Sequence, residues 1–219
     1  MENSLTPKDN AVEREPRGAR RKRATRAKLI ESAFRLMAGK GMEGVAINDI
    51  TEAADVGFGS FYNHFESKEA LYEAVVESVF EDFADWIDRL VASTTDNAQS
   101  ISIAVRHTML RVKREPMWGQ FLIREGLSLR SLERGLGQRL FRDIRTGIEA
   151  GRFASGDPFM SFVSVGGTIL VSIAVTLAEV DNPQITREGL PERTAAAVLR
   201  ILGIDPKEAD AIARHALSW

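Results

Sequence analysis

Residues 58–64 concentrate the side chains of this chain that are best suited to contact a nucleic acid. A tyrosine or a histidine can donate a hydrogen bond to a phosphate oxygen, and an asparagine can pair with the edge of an adenine. An exposed phenylalanine can touch a thymine methyl group. The candidates are Phe58, Ser60, Tyr62, Asn63 and His64. Lys68 follows closely, and at the start of a helix its ammonium can add a phosphate contact.

Two short helices joined by a tight turn must hold these side chains in place. The second helix of the chain is predicted from four apolar residues at helical spacing, which are Ile47, Ile50, Ala53 and Ala54. Residues 55–59 contain two glycines and predict a turn, residues 60–65 predict a short third helix, and Ser67 predicts the N-cap of a long fourth helix over residues 67–93. Val56, Phe61 and Phe65 can support the third helix from behind. This is the layout in which one helix lies in the major groove and its neighbour braces it.

A basic segment precedes these helices. Residues 17–28 contain seven Arg or Lys residues and no acid, although the whole chain has a net charge of −2. One basic end on an acidic body is typical of nucleic-acid binding at that end, but a solvated tail could have the same composition. Because residues 1–16 are polar and contain two prolines, we predict a disordered basic arm over residues 1–24. The arm adds Arg20, Arg21 and Arg23 as candidate DNA contacts.

Residues 25–75 resemble the DNA-binding domain of the TetR/AcrR family of bacterial transcriptional regulators. The resemblance is carried by Ala33, Phe34, Gly41, Ile50, Ala54, Val56, Gly59, Phe61, Tyr62, His64, Phe65, Ser67, Lys68, Glu69 and Leu71. It implies an all-α fold, with a three-helix DNA-binding domain at residues 25–70 and a larger helical effector-binding and dimerisation domain at residues 71–219. It also implies phosphate contacts from Tyr62, His64 and Lys68. The other residues that would face DNA are Asn48, Gly57, Phe58, Gly59, Ser60 and Asn63.

Three positions depart from the family pattern. Ala46 stands where family members usually carry a threonine that caps the second helix and touches phosphate, and the loss of a cap costs about 1 kcal/mol. Asn48 is the candidate to compensate for it. Asp55 replaces a turn glycine, and aspartate tolerates left-handed backbone better than most residues. Gly57 replaces a Ser or Thr cap. These changes bear on the phosphate contacts and not on the fold.

The C-terminal half has a helical period throughout. Helices are predicted at residues 99–114, 117–126, 129–151, 158–180, 190–203 and 206–217, with prolines near four of their ends. The resemblance implies that this half binds a small effector and carries the dimer contact. The candidate effector-binding residues are Trp86, His107, Met109, Trp118, Phe121, Arg124, Phe141 and Phe162. Each of these could equally be an ordinary core or interface residue, and a pocket built from them would be largely apolar.

Residues 158–178 contain no charged residue and are long enough to span a bilayer. Acids bracket the segment and no Trp or Tyr flanks it, which argues against a membrane span. A helix that is apolar all round also suits a buried subunit interface. We therefore predict a homodimer and no membrane contact. The predicted dimer seam comprises Ser164, Thr168, Ser172 and Thr176 on one helix, and Ala195, Val198, Leu199 and Leu202 on another.

Other classes of function fit the sequence less well. The chain has three histidines, no cysteine and no metal-ligand spacing. It also lacks a complete glycine-rich nucleotide fingerprint and a G-x-S-x-G elbow, so no enzyme activity, cofactor or metal is predicted. No apolar run follows Met1, so we expect no signal peptide, and the absence of cysteine fits a reducing cytoplasm. The alternatives are an architectural DNA-binding protein with little sequence preference, and a small-molecule-binding helical protein or enzyme to which DNA binding is secondary.

The sequence thus predicts a dimeric, ligand-responsive and sequence-specific DNA-binding transcriptional regulator. The expected partners are an inverted-repeat operator on double-stranded DNA, a second copy of the chain and a small, largely apolar effector. A repressor that leaves its operator when the effector binds is the favoured form.

Overall fold

The computed structural model describes residues 16–127, 135–154, 156–178 and 186–217, and every regular element within these ranges is helical. The elements are α1 (Arg17–Lys40), α2 (Ile47–Ala53), α3 (Phe58–Tyr62), α4 (Lys68–Val76), a π-helical turn (Glu77–Glu81), α5 (Asp82–Val91), α6 (Asn97–Arg114), α7 (Pro116–Gly126), α8 (Gly135–Glu149), α9 (Pro158–Leu177), α10 (Leu190–Ile201) and α11 (Pro206–Arg214). The all-α prediction is confirmed, and the helices of the C-terminal half fall close to their predicted places. The predicted start of the eighth helix at residue 129 lies outside the described residues.

The first helix is longer than the sequence pattern predicted. It begins at Arg17, so the prediction of a disordered arm is wrong for residues 17–24, while residues 1–15 lie outside the described residues. Residues 17–24 are mostly Arg, Lys and Ala, which have high helix propensity, and Pro16 just before them suits a helix start. Gly41 ends the helix at a φ of 74°, where its N–H donates to the Met37 carbonyl.

The next two helices form a helix-turn-helix. Asp55 takes a left-handed φ of 54° between α2 and α3, as predicted for this departure from glycine. Ile50 and Phe61 are fully buried, and they belong to the same apolar core as Leu29 and Leu71. The third helix starts at Phe58 rather than at residue 60, because Gly57 serves as its extended N-cap.

The long fourth helix is present, with one irregularity inside it. Ser67 caps its start, since the Ser67 hydroxyl accepts a hydrogen bond from the Ala70 N–H at 3.1 Å. The backbone then stays helical through α4, the π-helical turn and α5. Within the π-helical turn the Val79 carbonyl accepts a hydrogen bond from the Trp118 indole at 3.1 Å. A single π turn inside an α-helix is frequent at functional sites.

In the larger domain, α5, α7, α8, α10 and α11 pack around α6 and α9. Its buried apolar residues form one cluster with those of the helix-turn-helix, and α1 packs against α7 as well as against α4. The predicted boundary at residue 70 falls inside the first turns of α4. The two parts therefore share one helix and one continuous core.

The predicted contribution of α10 to the dimer seam is wrong. Ala195, Val198, Leu199 and Leu202 are all 0% exposed within a single protomer, where α10 packs against α6, α9 and α11. Side chains that are already buried inside one chain cannot supply a free face to a second. The four seam residues predicted on α9 are less buried than those on α10. Ser164 is exposed, and Thr168, Ser172 and Thr176 are half-buried. The hydroxyl groups of these three donate to backbone carbonyls of their own helix.

Candidate DNA interface and internal pocket

The outward face of α3 carries the side chains that the sequence singled out. Phe58 is 51% exposed and Tyr62 is 54% exposed, and their rings meet edge to face with centroids 5.8 Å apart. Gly57, Gly59 and Asn63 are exposed as well, and Ser60 is half-buried. Phe61 lies fully buried on the other side of the helix. An apolar back and an exposed aromatic and polar front allow a short helix to enter a groove without unfolding.

His64 lies just beyond α3, beside the N-terminal half of α1. Burial lowers the pKa of His64, and the nearby charges of Lys22 and Arg26 lower it further, so the imidazole is neutral at pH 7. Its Nδ1 is buried and has no hydrogen-bond partner, and the Arg26 guanidinium lies 4.9 Å above the Phe65 ring. The basic residues of α1 therefore stand next to the C-terminal end of α3. The sequence indicated a basic segment but not this neighbourhood.

Arg20, Arg21 and Arg23 are exposed on the helical extension of α1. Asn48 is also exposed near the start of α2, but it does not replace the missing cap. Asp49 supplies the reciprocal contact of a capping box, because its carboxylate accepts a hydrogen bond from the Ala46 N–H at 3.1 Å. Negative charge in the first turn of a helix is favourable, and this contact satisfies an N–H that the helix itself leaves free.

Lys68 has a different environment from the one expected. Its ammonium donates to the carbonyls of Met42 at 3.1 Å and Val45 at 3.2 Å, in the turn between α1 and α2. An ammonium group has three N–H donors. A phosphate contact from Lys68 thus remains a prediction, but the first task of this side chain is to hold the turn that leads into the helix-turn-helix.

An internal pocket of about 140 Å³ lies in the larger domain, enclosed by α4, the π-helical turn, α5, α6, α7, α8 and α9. Its lining is mostly apolar. The apolar side chains include Val76, Phe80, Ile87, Ile101, Val105, Leu122, Leu140, Phe162, Ile169 and Leu170. A mostly apolar, partly enclosed space with a few polar groups is the usual form of a small-molecule site.

Some of the polar groups that line the pocket belong to a network of ion pairs that joins the π-helical turn and α5 to α8. Arg139 donates to Asp88 at 2.8 Å and to Glu81 at 2.8 Å, and it also pairs with Asp85. Arg142 donates to Asp88 and to Asp143, each at 2.8 Å. Three members of this network line the pocket, namely Asp88, Arg139 and Asp143. We call these three the polar end of the pocket.

The two carboxylates of the polar end differ in acidity. Burial by itself would raise the pKa of Asp88, but hydrogen bonds from Arg142 and Arg139 outweigh it and lower this pKa below its ordinary value. Burial raises the pKa of Asp143, although Arg142 partly opposes the effect. The pocket thus offers one carboxylate that stays charged, one that is easier to protonate, and an arginine that remains charged. This set can both accept hydrogen bonds from a hydroxyl group and donate to it.

Seven of the eight predicted effector-binding residues do not line this pocket; only Phe162 does. Met109, Trp118 and Phe121 are fully buried core residues, His107 packs against Trp86, and Phe141 packs edge to face against Phe162. Arg124 donates to backbone carbonyls of α1 instead. The polar end was missed because its residues lie among exposed charges in sequence. Within the described part of the chain, no three His, Asp or Glu side chains group closely enough to hold a metal ion.

Profiles of two protein families match the chain. Residues 29–75 match the family described as bacterial regulatory proteins, tetR family, and residues 96–215 match the tetracyclin repressor-like C-terminal domain. The second match alone covers more than half of the chain. The chain belongs to the TetR family. The members of this family are DNA-binding transcriptional regulators, and the residues that match its N-terminal model include α2 and α3.

Individual TetR-family proteins resemble the chain to different extents. The crystal structure of RolR in complex with resorcinol has 33% sequence identity and a TM-score of 0.67, over 92% of this chain and 98% of RolR. The repressor DhaR of Mycobacterium sp. (strain GP1) is 42% identical over 73 residues, and the repressor KstR2 of Rhodococcus jostii (strain RHA1) is 30% identical over 84 residues. These two matches cover only 35% and 41% of the length of those relatives.

One helix of this TetR-family chain, Pro158–Leu177, is long and apolar enough to cross a membrane by length and composition alone. One such helix is weak evidence of a membrane protein, and TetR-family regulators are soluble DNA-binding proteins. The exposed apolar surface of α9 therefore needs another explanation.

Proposed function

We propose that the protein is a dimeric cytoplasmic repressor that binds an inverted-repeat operator and leaves it when a small hydroxylated aromatic compound fills the internal pocket. The observation that carries the proposal is the polar end of Asp88, Arg139 and Asp143 in a mostly apolar pocket, in a chain with a TetR-type helix-turn-helix. A single short α3 reads few base pairs, so two copies related by a twofold axis are needed to recognise a longer site.

The size and lining of the pocket support a small aromatic effector. An apolar cavity of about 150 Å³ is large enough to admit benzene, and this pocket has about 140 Å³. An aromatic ring would contact the apolar walls, where Phe80 and Phe162 lie. A ring hydroxyl could then donate to the charged Asp88 carboxylate and accept from Arg139. Resorcinol, the ligand in the RolR crystal, is a compound of this class.

The exposed surface of α9 supports the dimer. Residues at three- and four-residue spacing face away from the protomer, namely Met160, Val163, Ser164, Gly167, Val171 and Ala174. Such a strip of small and apolar residues suits close packing of two helices. This strip replaces the seam that the sequence predicted, and it shares only Ser164 with it.

The coupling that this function needs is modest. A hundredfold loss of operator affinity corresponds to a coupling free energy of about 2.7 kcal/mol, which lies within the usual range for allosteric proteins. The long fourth helix begins beside α3 and passes the pocket, where Tyr72, Val76 and Phe80 line it. A ligand that prefers one position of this helix would shift the spacing of the two α3 helices in the dimer.

The proposal is tested first on DNA. Genomic fragments are selected on the purified protein at physiological salt and sequenced. We expect an enriched inverted repeat. Binding without enrichment would instead identify an architectural protein, and no DNA binding would favour a small-molecule-binding protein or enzyme.

The effector class is tested with resorcinol as the probe. We expect resorcinol to bind and to release the selected operator fragment, with Asp88→Asn weakening resorcinol binding by about tenfold, since a hydrogen bond to a charged group contributes about 1.5–3 kcal/mol. The matched control is Asp85→Asn, because Asp85 pairs with the same Arg139 but does not line the pocket. Equal losses in the two variants, or no release of the operator, would contradict the proposed polar end.

A further inference from the structure

Arg124 connects the end of α7 to the end of α1. Its guanidinium donates to the Ala38 carbonyl at 3.1 Å and to the Gly39 carbonyl at 2.8 Å. These carbonyls belong to the last turn of α1, where a helix leaves its carbonyls without internal partners. A cation at this end also interacts favourably with the helix dipole. The planar guanidinium can span two neighbouring carbonyls, which a lysine cannot do in the same way.

A second cation holds the segment that follows. Residues 41–46, which we call the α1–α2 turn, connect α1 to the helix-turn-helix. Lys68 from α4 donates to the Met42 and Val45 carbonyls of this turn. The connection into α2 is thus fixed from two sides. One cation comes from the long fourth helix and the other from α7.

The same helix α7 forms a wall of the pocket. Leu122, Glu125 and Gly126 line the pocket on both sides of Arg124 in sequence. Close glycine contacts fix α7 to its neighbours, because a Cβ on Gly119 would lie 2.8 Å from Val112 of α6 and a Cβ on Gly126 would lie 2.8 Å from Leu170 of α9. A displacement of this wall therefore moves Arg124 with it, since Arg124 belongs to the same helical turn as the lining residues.

We propose that Arg124 is a positioning residue that couples the pocket to the α1–α2 turn, by a route separate from the long fourth helix. The inference rests on the proposed function in one respect, that the pocket is the effector site. Filling the pocket shifts the C-terminal turn of α7, Arg124 changes its hold on the end of α1, and the turn that sets the position of α2 and α3 responds.

The test is a double-mutant cycle read by hydrogen exchange, with neither DNA nor a small molecule present. Ala104→Leu fills part of the pocket from α6, and Arg124→Met removes the contact to α1. Exchange is measured on peptides that cover residues 39–47 in the two single variants, the double variant and the unmodified protein. We expect Ala104→Leu to change exchange in this segment by about two- to tenfold when Arg124 is present, and to have no effect there when it is absent.

Three further variants make the result specific. Gly166→Leu fills the pocket from α9, where an added Cβ meets no atom within 4 Å, and it replaces Ala104→Leu if that variant fails to fold. Arg124→Lys keeps the charge and should recover only part of the coupling. Arg145→Met is the matched control, because Arg145 pairs with Glu149 on its own exposed helix face, and it should leave the cycle unchanged.

The inference is overturned if the pocket-filling variants affect residues 39–47 equally with and without Arg124, or do not affect them at all. Because the cycle uses neither operator nor resorcinol, a failure of the proposed effector class would leave its result intact. Conversely, resorcinol could release the operator from Arg124→Met to the same extent as from the unmodified protein. That result would contradict the coupling role of Arg124 and would leave the proposed effector class intact.

Discussion

Single side chains around α3 divide into those that hold the helix and those that face solvent. Phe61 is buried, and the exposed Phe58 and Tyr62 rings contact each other. The Tyr62 hydroxyl is free to reach a phosphate, which carries no base information. Lys68, expected to contact DNA, and Arg124, expected to contact the effector, both hydrogen-bond to backbone carbonyls. At this scale, the type of a residue indicates which bonds it can form but not the partner it finds.

Tyr62→Ala should weaken binding to operator and to nonspecific DNA by similar factors, about tenfold, because a lost hydrogen bond to a charged phosphate is independent of sequence. Fluorescence anisotropy with the selected operator and with a scrambled duplex measures both affinities. Tyr62→Phe separates the hydroxyl from the ring and should show most of the loss. A variant that loses operator affinity while nonspecific affinity stays constant would assign base reading to Tyr62 instead.

The helices of the larger domain are positioned by close contacts at glycines and by hydrogen bonds from buried side chains. Trp118 of α7 donates to the π-helical turn, and thereby fixes the point at which the long fourth helix passes the pocket. Gly147 of α8 packs directly on Phe153, which is buried. These contacts leave little space for changes of volume, and interiors of this density respond to a single added methyl group.

Gly147→Ala should therefore destabilise the protein by about 1–3 kcal/mol, because its Cβ would lie 2.1 Å from the Phe153 ring and force a repacking. Thermal and urea unfolding measure the change. Gly166→Ala serves as the control, since its Cβ meets no atom within 4 Å and alanine is favoured in helices by about 1 kcal/mol. Equal stability of Gly147→Ala and the unmodified protein would show that Phe153 moves freely.

At the scale of the whole molecule, α9 is the element that a single protomer leaves incomplete. Val171 is 65% exposed, and Phe159 and Met160 are each about half exposed on the same helix. Exposed apolar patches of this kind mark interaction sites on soluble proteins. A second copy of the chain would bury the strip and would also bring two α3 helices to a fixed spacing.

Val171→Glu should convert the dimer to a monomer and reduce operator affinity by more than tenfold, because it places a charge in the centre of the proposed seam. Multi-angle light scattering gives the mass, and circular dichroism checks that the variant is folded. Ala92→Glu adds the same charge at an exposed position after α5 and should remain dimeric. A folded Val171→Glu protein that stays dimeric would place the interface on another surface.

The sequence by itself determined the features that depend on neighbouring residues. The helical period, the Ser67 cap and the left-handed Asp55 all depend on interactions within a few residues, and all were predicted correctly. The extent of α1 was misjudged, because proline and charge near residue 16 indicated disorder although residues 17–24 favour a helix.

Only the tertiary structure decided which side chains meet. Arg124 and Ala38 are 86 residues apart in the chain, and Arg139 and Asp88 are 51 apart, so no local pattern could pair them. The apolar faces of α9 and α10 also looked equivalent in sequence. The apolar face of α10 is completely buried by packing against α6, α9 and α11, whereas a strip of α9 stays exposed. Burial and pairing of this kind depend on how whole helices pack, and therefore on contacts that sequence periodicity does not specify.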